Sequence, residues 1–180
     1  MPSETVVSFE PTTSVKASNG TPVRAYVGIG ANLGDARANV QQAFLMLDTM
    51  PDTRVADRSS LFRTAPIDAG GDDYVNAVAA IDTTLTAMAL LHALQAVETE
   101  QGRLRPYPNA PRTLDLDILL YGQQTMRTAA LTVPHPRLTQ RAFALIPLLQ
   151  IAPMITIPGQ GPAHAFMPGV ADQAIRRIDA

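Results

Sequence analysis

Asp115 and Asp117 stand two residues apart in Leu114-Asp115-Leu116-Asp117-Ile118-Leu119-Leu120. On a strand, strict alternation sends Leu114, Leu116, Ile118 and Leu120 toward a core and both aspartates to the opposite face. A rise of about 3.3 Å per residue puts the two aspartate Cα atoms roughly 6.5 to 7 Å apart, close enough to share one cation or bracket two. Two carboxylates this near oppose each other's ionisation unless a cation offsets them. Oxygen ligands on a rigid strand suit Mg²⁺, which takes one or two carboxylates and completes its shell with water and phosphate oxygens. That is a phosphoryl-transfer geometry. By itself the pair is also what an exposed strand face with two solvated aspartates looks like, so its neighbours must decide.

Arg103, Arg105 and Arg112 lie just before this strand. Guanidinium groups match phosphate oxygens bidentately, although three arginines in a loop are also what a solvated surface carries. Glu98 follows Leu94 by four residues, at the edge of an apolar stripe and near a helix end where the macrodipole disfavours an anion, so it calls for a cationic or hydrogen-bonding partner. Farther on, Val133-Pro134-His135-Pro136-Arg137 and Arg141-Ala142-Phe143 gather a histidine, two arginines and an aromatic. There His135 can donate to a phosphate. Phe143 taken alone reads as core. Tyr74 and Asn76, alternate residues of another strand, offer a ring to stack on and an amide that can pair with a heterocycle edge. Gly28-Ile29-Gly30 does not continue as G-x-G-x-x-G, because the next glycine is Gly34, and no G-x-x-x-x-G-K-[ST] occurs. Any nucleotide is therefore held by neither of those loops.

These residues need a scaffold, and the 180-residue chain, 46% hydrophobic and 17% charged, is long enough for one sizeable core. A net charge of −2 gives no general attraction for nucleic acid or an anionic membrane. The lack of cysteine fits a reducing, cytoplasmic setting, and no apolar run reaches membrane-spanning length. Residues 1–22, rich in Ser, Thr, Pro and Glu, read as a disordered tail, and 23–180 as a single domain. A strand near 25–30 is followed by Asp35 as N-cap and a helix whose Val40, Ala43, Phe44 and Leu47 form one stripe. Strands follow at 53–63 and 73–83, then a Thr86-capped helix carrying Leu90, Leu91, Leu94 and Val97 and ended by Gly102. A Pro-rich loop over 103–111 leads to a strand at 113–121, a segment at 131–136 and a helix at 141–149, and the Pro- and Gly-rich remainder ends in a weak helical signal. The order strand-helix-strand-strand-helix-strand predicts an α+β, ferredoxin-like sandwich, two helices on one face of a mainly antiparallel sheet. That architecture alone does not fix a function. An RNA binder is disfavoured by two aspartates on the central strand.

From about Ala25 to Pro153 the chain resembles the 6-hydroxymethyl-7,8-dihydropterin pyrophosphokinases of folate biosynthesis. The likeness runs through Gly30-Ala31-Asn32-Leu33-Gly34-Asp35, Ser60-Leu61-Phe62-Arg63-Thr64-Ala65-Pro66 and Asp73-Tyr74-Val75-Asn76-Ala77. It continues in Gln101-Gly102-Arg103-Leu104-Arg105, Ala110-Pro111-Arg112-Thr113-Leu114-Asp115-Leu116-Asp117-Ile118, Leu131-Thr132-Val133-Pro134-His135 and Arg141-Ala142-Phe143. The resemblance implies transfer of pyrophosphate from ATP to the hydroxymethyl oxygen of the pterin, with release of AMP. It implies two Mg²⁺ on Asp115 and Asp117, with Arg103 and Arg112 also catalytic. Arg103, Arg105, Arg112, His135 and Arg141 would contact ATP, with Gln95, Glu98, Ile118 and Thr132 on its nucleoside side. Tyr74 and Phe143 would sandwich the pterin while Thr64, Ala65, Ile67 and Asn76 read its edge. A monomer acting on small molecules, without nucleic acid or membrane, is the expectation. Where many relatives carry Arg-Trp-Gly, this chain has Pro108-Asn109-Ala110, so the closing aromatic is missing. The alternatives are a Mg²⁺-dependent phospho- or nucleotidyltransferase of another substrate, or a non-catalytic ferredoxin-like ligand-binding module.

Overall fold

A computed structural model describes residues 20–66, 72–102 and 113–178. Strand β1 (Val23–Ala31) leads to α1 (Ala36–Asp48), then β2 (Thr53–Arg58), β3 (Leu61–Thr64) and β4 (Tyr74–Thr83). Helix α2 (Ala87–Glu100), β5 (Asp115–Tyr121), the short pair β6 (Met126–Arg127) and β7 (Thr132–Val133), and α3 (Ala142–Ile151) follow. A small hairpin of β8 (Thr156–Ile157) and β9 (Gly161–Pro162), a 3-10 turn over Ala163–Val170 and β10 (Ile175–Ile178) complete it. The main sheet runs β10-β3-β4-β1-β5, with β2 also paired to β4, and every described pairing is antiparallel. This is the expected ferredoxin-like α+β arrangement.

Local chemistry starts and stops the helices as expected. Asp35 accepts from the Ala38 N–H at 3.0 Å and Thr86 from the Ala89 N–H at 3.1 Å, each satisfying one orphan donor of a first turn. Gly102 follows α2 with φ +82°, a conformation glycine adopts without strain. Ala25, Val27, Ile29 and Ala31 of β1, with Val75, Ala77, Ala79 and Ile81 of β4, form one buried face against Val40, Phe44 and Leu47 of α1 and Leu90, Leu94 and Val97 of α2.

The structure departs from expectation in four places. The opposite face of the sheet is covered too: α3 packs there, its Leu145 and Leu148 clustering with Val78, Leu119 and Leu120, so the helices are not confined to one side. The single strand expected over 53–63 is interrupted at Ser59 and Ser60. There Ser59 exchanges bonds with Val78 through its N–H and hydroxyl, both 2.9 Å, and the Ser60 N–H goes to Gln150 at 2.7 Å, replacing regular ladder bonds. Leu120 does not join Leu114, Leu116 and Ile118, because Tyr26 pairs with Leu120 while Val27 pairs with Ile118, leaving Leu119 as an extra residue. This β-bulge turns Leu119 and Leu120 to the α3 side and Tyr121 to the other, where its hydroxyl donates to the Leu85 carbonyl. Finally, the weak helical signal near the end is a strand, β10, paired with β3.

Candidate active site

Alternation along β1 places Tyr26, Gly28 and Gly30 on the α3 side of the sheet. Two glycines in a row of alternate positions leave that part of the central strand without side chains, and a cavity of about 300 Å³ opens over it. Gly28 lies between Val78 of β4 and Asp117 of β5, and Gly30 between Asn76 and Asp115. One side of the cavity carries Thr64, Ala65, Tyr74 and Asn76, and the other Asp115, Asp117 and Leu119. His135, Arg137, Arg141, Phe143 and Ala144 line it from the segment before α3 and the first turn of that helix.

Asn76 is buried and donates from Nδ2 to Thr64 Oγ1 at 2.7 Å. Its Oδ1 lies so close to Gly30 that a Cβ there would approach it to 3.0 Å, so the amide is held by Thr64 on one side and by the bare backbone on the other. The two aspartates fall on one face as expected, Asp115 half-buried and Asp117 exposed, while Leu116 between them points into the core. Glu98 has found a partner: its carboxylate, 4% exposed, accepts the Leu116 N–H at 3.1 Å. Since β5 pairs with β1 along its other edge, Glu98 satisfies backbone on the outer edge midway between the aspartates.

The bulge places the histidine. The His135 N–H donates to the carbonyl of Leu119 at 2.9 Å, tying the segment to β5. His135 Nδ1 accepts from the Arg137 N–H at 3.1 Å, so a neutral ring carries its proton on Nε2. Burial pulls the imidazole pKa below its ordinary range, Arg141 and Arg137 push the same way, and Asp117 opposes them. The Arg141 guanidinium, 5.4 Å from the centre of the Phe143 ring, is likewise lowered by burial and by Arg137, with Asp117 opposing. A carboxylate strand thus faces two arginines and a histidine across one cavity, with an amide and two aromatic rings alongside.

Of the residues singled out from sequence, Thr64, Ala65, Tyr74, Asn76, Asp115, Asp117, His135, Arg141 and Phe143 line this cavity. Gln95, Glu98, Ile118 and Thr132 do not: Gln95 is exposed on α2, Ile118 is buried beneath the helices with Val27, and Thr132 is half-buried on β7. Ile67, Arg103, Arg105 and Arg112 lie outside the described residues, as does 1–19 of the expected tail. Gly28, Gly30 and Leu119 line the cavity without having been singled out as site residues, and Arg137, noted only as one of the two arginines near His135, lines it as well. The available signal was the pair of glycines inside a strand pattern, which marks close approach by something else. No group of three or more His, Cys, Asp or Glu able to hold a metal occurs among the described residues, so a cation on the carboxylate pair would have to draw its other ligands from water and phosphate. No helix among them is long and apolar enough to cross a membrane.

Over residues 26–153 the chain matches the family described as 7,8-dihydro-6-hydroxymethylpterin-pyrophosphokinase. It is 45% identical over 136 residues to the 2-amino-4-hydroxy-6-hydroxymethyldihydropteridine pyrophosphokinase of Pseudomonas aeruginosa, across 75% of this chain and 84% of that protein. To the Haemophilus influenzae protein of the same name it is 38% identical over 158 residues, across 87% of this chain and 99% of the relative. The fold is similar to the crystal structure of Plasmodium falciparum HPPK-DHPS A437G with pteroate, with a TM-score of 0.71 at 12% identity, across 91% of this chain and 45% of that one. Taken with the matched span and these identities, the chain belongs to the 7,8-dihydro-6-hydroxymethylpterin-pyrophosphokinase family.

Proposed function

We propose that this protein transfers the β,γ-pyrophosphoryl group of ATP to 6-hydroxymethyl-7,8-dihydropterin, giving AMP and the pterin diphosphate. The observation that carries this reading is the meeting, over the glycine floor of β1, of a heterocycle-reading face (Tyr74, Asn76 and Thr64) with a paired-carboxylate strand. Pterin recognition and phosphate handling then share one cavity, as a direct transfer between two bound substrates requires.

The step forms one bond, from the hydroxymethyl oxygen to the β-phosphorus. It breaks the bond from that phosphorus to the oxygen bridging to the α-phosphate, which departs as part of AMP, and the hydroxymethyl proton passes to water. Such transfers ask little covalent chemistry of a protein, so positioning and charge stabilisation do most of the catalysis. Asn76, oriented by Thr64, presents Oδ1 to a ring N–H of the pterin, and Tyr74 and Phe143 give its faces aromatic surface. His135, with its proton on Nε2, donates to a phosphate oxygen, and Arg141 balances the phosphate charge. Asp115 and Asp117 would hold two Mg²⁺, which would supply positive charge to phosphate oxygens that the carboxylates alone repel. Glu98 keeps the two aspartates in register through the backbone between them. Arg103, Arg105 and Arg112 complete the triphosphate contacts on the strength of the sequence, and Gln95 and Thr132 the nucleoside side. The protein acts as a cytoplasmic monomer built as one domain over 23–180, on small molecules alone.

The deciding experiment incubates the protein with MgATP, with and without the hydroxymethyl pterin, and separates the nucleotides. Pterin-dependent AMP is the expected product, whereas ADP, or no turnover, sinks the reading. ADP would favour an ordinary phosphotransferase using the same carboxylate pair.

A further inference from the structure

Residues 154–178 lie beyond the span that matches the family, yet they reach two sides of the cavity. The chain leaves α3, turns through the β8–β9 hairpin and the 3-10 segment, and returns to the start of α3 at Gln173. There the Gln173 side chain makes two bonds: Oε1 accepts from the Ala142 N–H and Nε2 donates to the Gln140 carbonyl, both at 2.8 Å. The two backbone groups flank Arg141. Arg141 occupies the N-cap position of α3 but makes no side-chain capping bond, its guanidinium lying instead over the ring of Phe143. A helix start normally takes its acceptor from the N-cap side chain itself. Here the first helical N–H, that of Ala142, takes its acceptor from thirty-one positions farther along the chain, and Arg141 is left to line the cavity. Two residues after Gln173, Ile175 pairs with Thr64 in the β10–β3 ladder, while its side chain packs with the α3 cluster. Gln173 and Ile175 therefore tie the α3 side of the cavity to the β3 side.

We infer that Gln173 is a positioning residue for the reaction: it clamps the backbone on both sides of Arg141, and through it sets where Arg141 and Phe143 stand relative to Thr64 and Asn76. The inference deepens the proposed function and rests on it for the roles of Arg141 and Phe143. Without the clamp the Ala142 N–H and the Gln140 carbonyl must find water, only the Arg141 carbonyl stays tied, to the N–H groups of Ala144 and Leu145, and the backbone about Arg141 rotates more easily. A guanidinium at the end of a long side chain magnifies any such rotation, and misplacements of this order cost a reaction far more than they cost the fold.

The test compares Gln173→Ala and Gln173→Glu with the wild type. Gln173→Ala is expected to lower kcat/KM for the pterin about tenfold with the fold retained. Gln173→Glu keeps the acceptor for Ala142 and is expected to restore the greater part of that loss, and it carries the comparison if the alanine variant does not fold. In an Arg141→Ala background, Gln173→Ala is expected to lose the part of its effect that runs through Arg141 and keep the part that runs through Phe143, so the two losses combine to less than their product. Full activity in Gln173→Ala, or losses that multiply in the double variant, would overturn the inference. Amide hydrogen exchange at Ala142 supplies a readout independent of turnover. Faster exchange in Gln173→Ala supports the clamp, and unchanged exchange refutes it. A wild type that makes no pterin-dependent AMP defeats the proposed function instead, and the exchange result still decides whether the clamp exists.

Discussion

Gly30→Ala isolates the pterin side of the site with a single methyl group. Gly30 has ordinary strand backbone, so alanine meets no conformational penalty, and the loss of glycine's freedom in the unfolded chain favours the variant by about 0.4–1 kcal/mol. Against that, the new Cβ would stand 3.0 Å from Asn76 Oδ1, a few tenths of an ångström inside normal contact. Asn76 is 5% exposed and Thr64 6%, so the amide has little room to retreat and must strain its 2.7 Å bond to Thr64. Overpacking of this kind costs about 1–3 kcal/mol, and the two effects leave a net destabilisation of about 0–2.6 kcal/mol. Catalysis should suffer more. Displacing the amide proposed to read the pterin edge is expected to cut kcat/KM for the pterin by about tenfold or more, mostly through KM. Among the described residues other than its chain neighbours, no other atom lies within 4 Å of the added Cβ, so the carboxylate side is spared and the KM for ATP should hold. Steady-state kinetics with each substrate varied in turn, alongside thermal unfolding, measure both quantities. A variant whose pterin KM matches the wild type, or whose ATP KM rises equally, refutes the reasoning.

Asp115→Asn and Asp117→Asn should each lower turnover by at least about a hundredfold while circular dichroism stays unchanged, and chelation of divalent cations should stop the wild type until Mg²⁺ is returned. An active double variant would dispose of the metal assignment. Glu98→Ala leaves the Leu116 N–H buried without an acceptor and is expected to cost about 1–3 kcal/mol in denaturant unfolding. Glu98→Gln keeps an acceptor and should cost clearly less, so equal losses would show that the bond to Leu116 is not what Glu98 contributes. The pH dependence follows from His135, whose pKa in the fold lies below its ordinary 6.5, chiefly through burial. As pH falls below 6.5 the unfolded chain takes up a proton that the folded one resists, so the wild type should lose stability between 6.5 and the lowered value. His135→Gln should lack that part of the loss, and parallel stability curves for the two proteins would contradict the placement of the ring.

The sequence alone determined what depends on local pattern. Apolar spacing at three and four residues fixed α1 and α2, Asp35 and Thr86 began them, and alternation put Tyr74 with Asn76 and Asp115 with Asp117 on common faces. Residue chemistry then went far, because a carboxylate pair among arginines has few uses. It also required a partner for Glu98, and the fold supplies one in a backbone N–H of β5. What local pattern could not carry was anything set by the meeting of distant segments. Glycines 28 and 30 looked like a failed nucleotide loop until β4 and β5 flanked them and their missing side chains became a cavity floor. The bulge at Leu119 depends on the register between β1 and β5, so alternation misplaced Leu120 while remaining right through Ile118. The stretch after α3 carried only a weak period, and its strand exists because β3 offers an open edge to pair with. Gln173, an unremarked polar residue in the sequence, gains its place at the site only when tertiary packing brings it against the backbone around Arg141. Side-chain periodicity reports which face a residue takes within its own element, whereas hydrogen bonds between elements far apart in the chain leave no local trace.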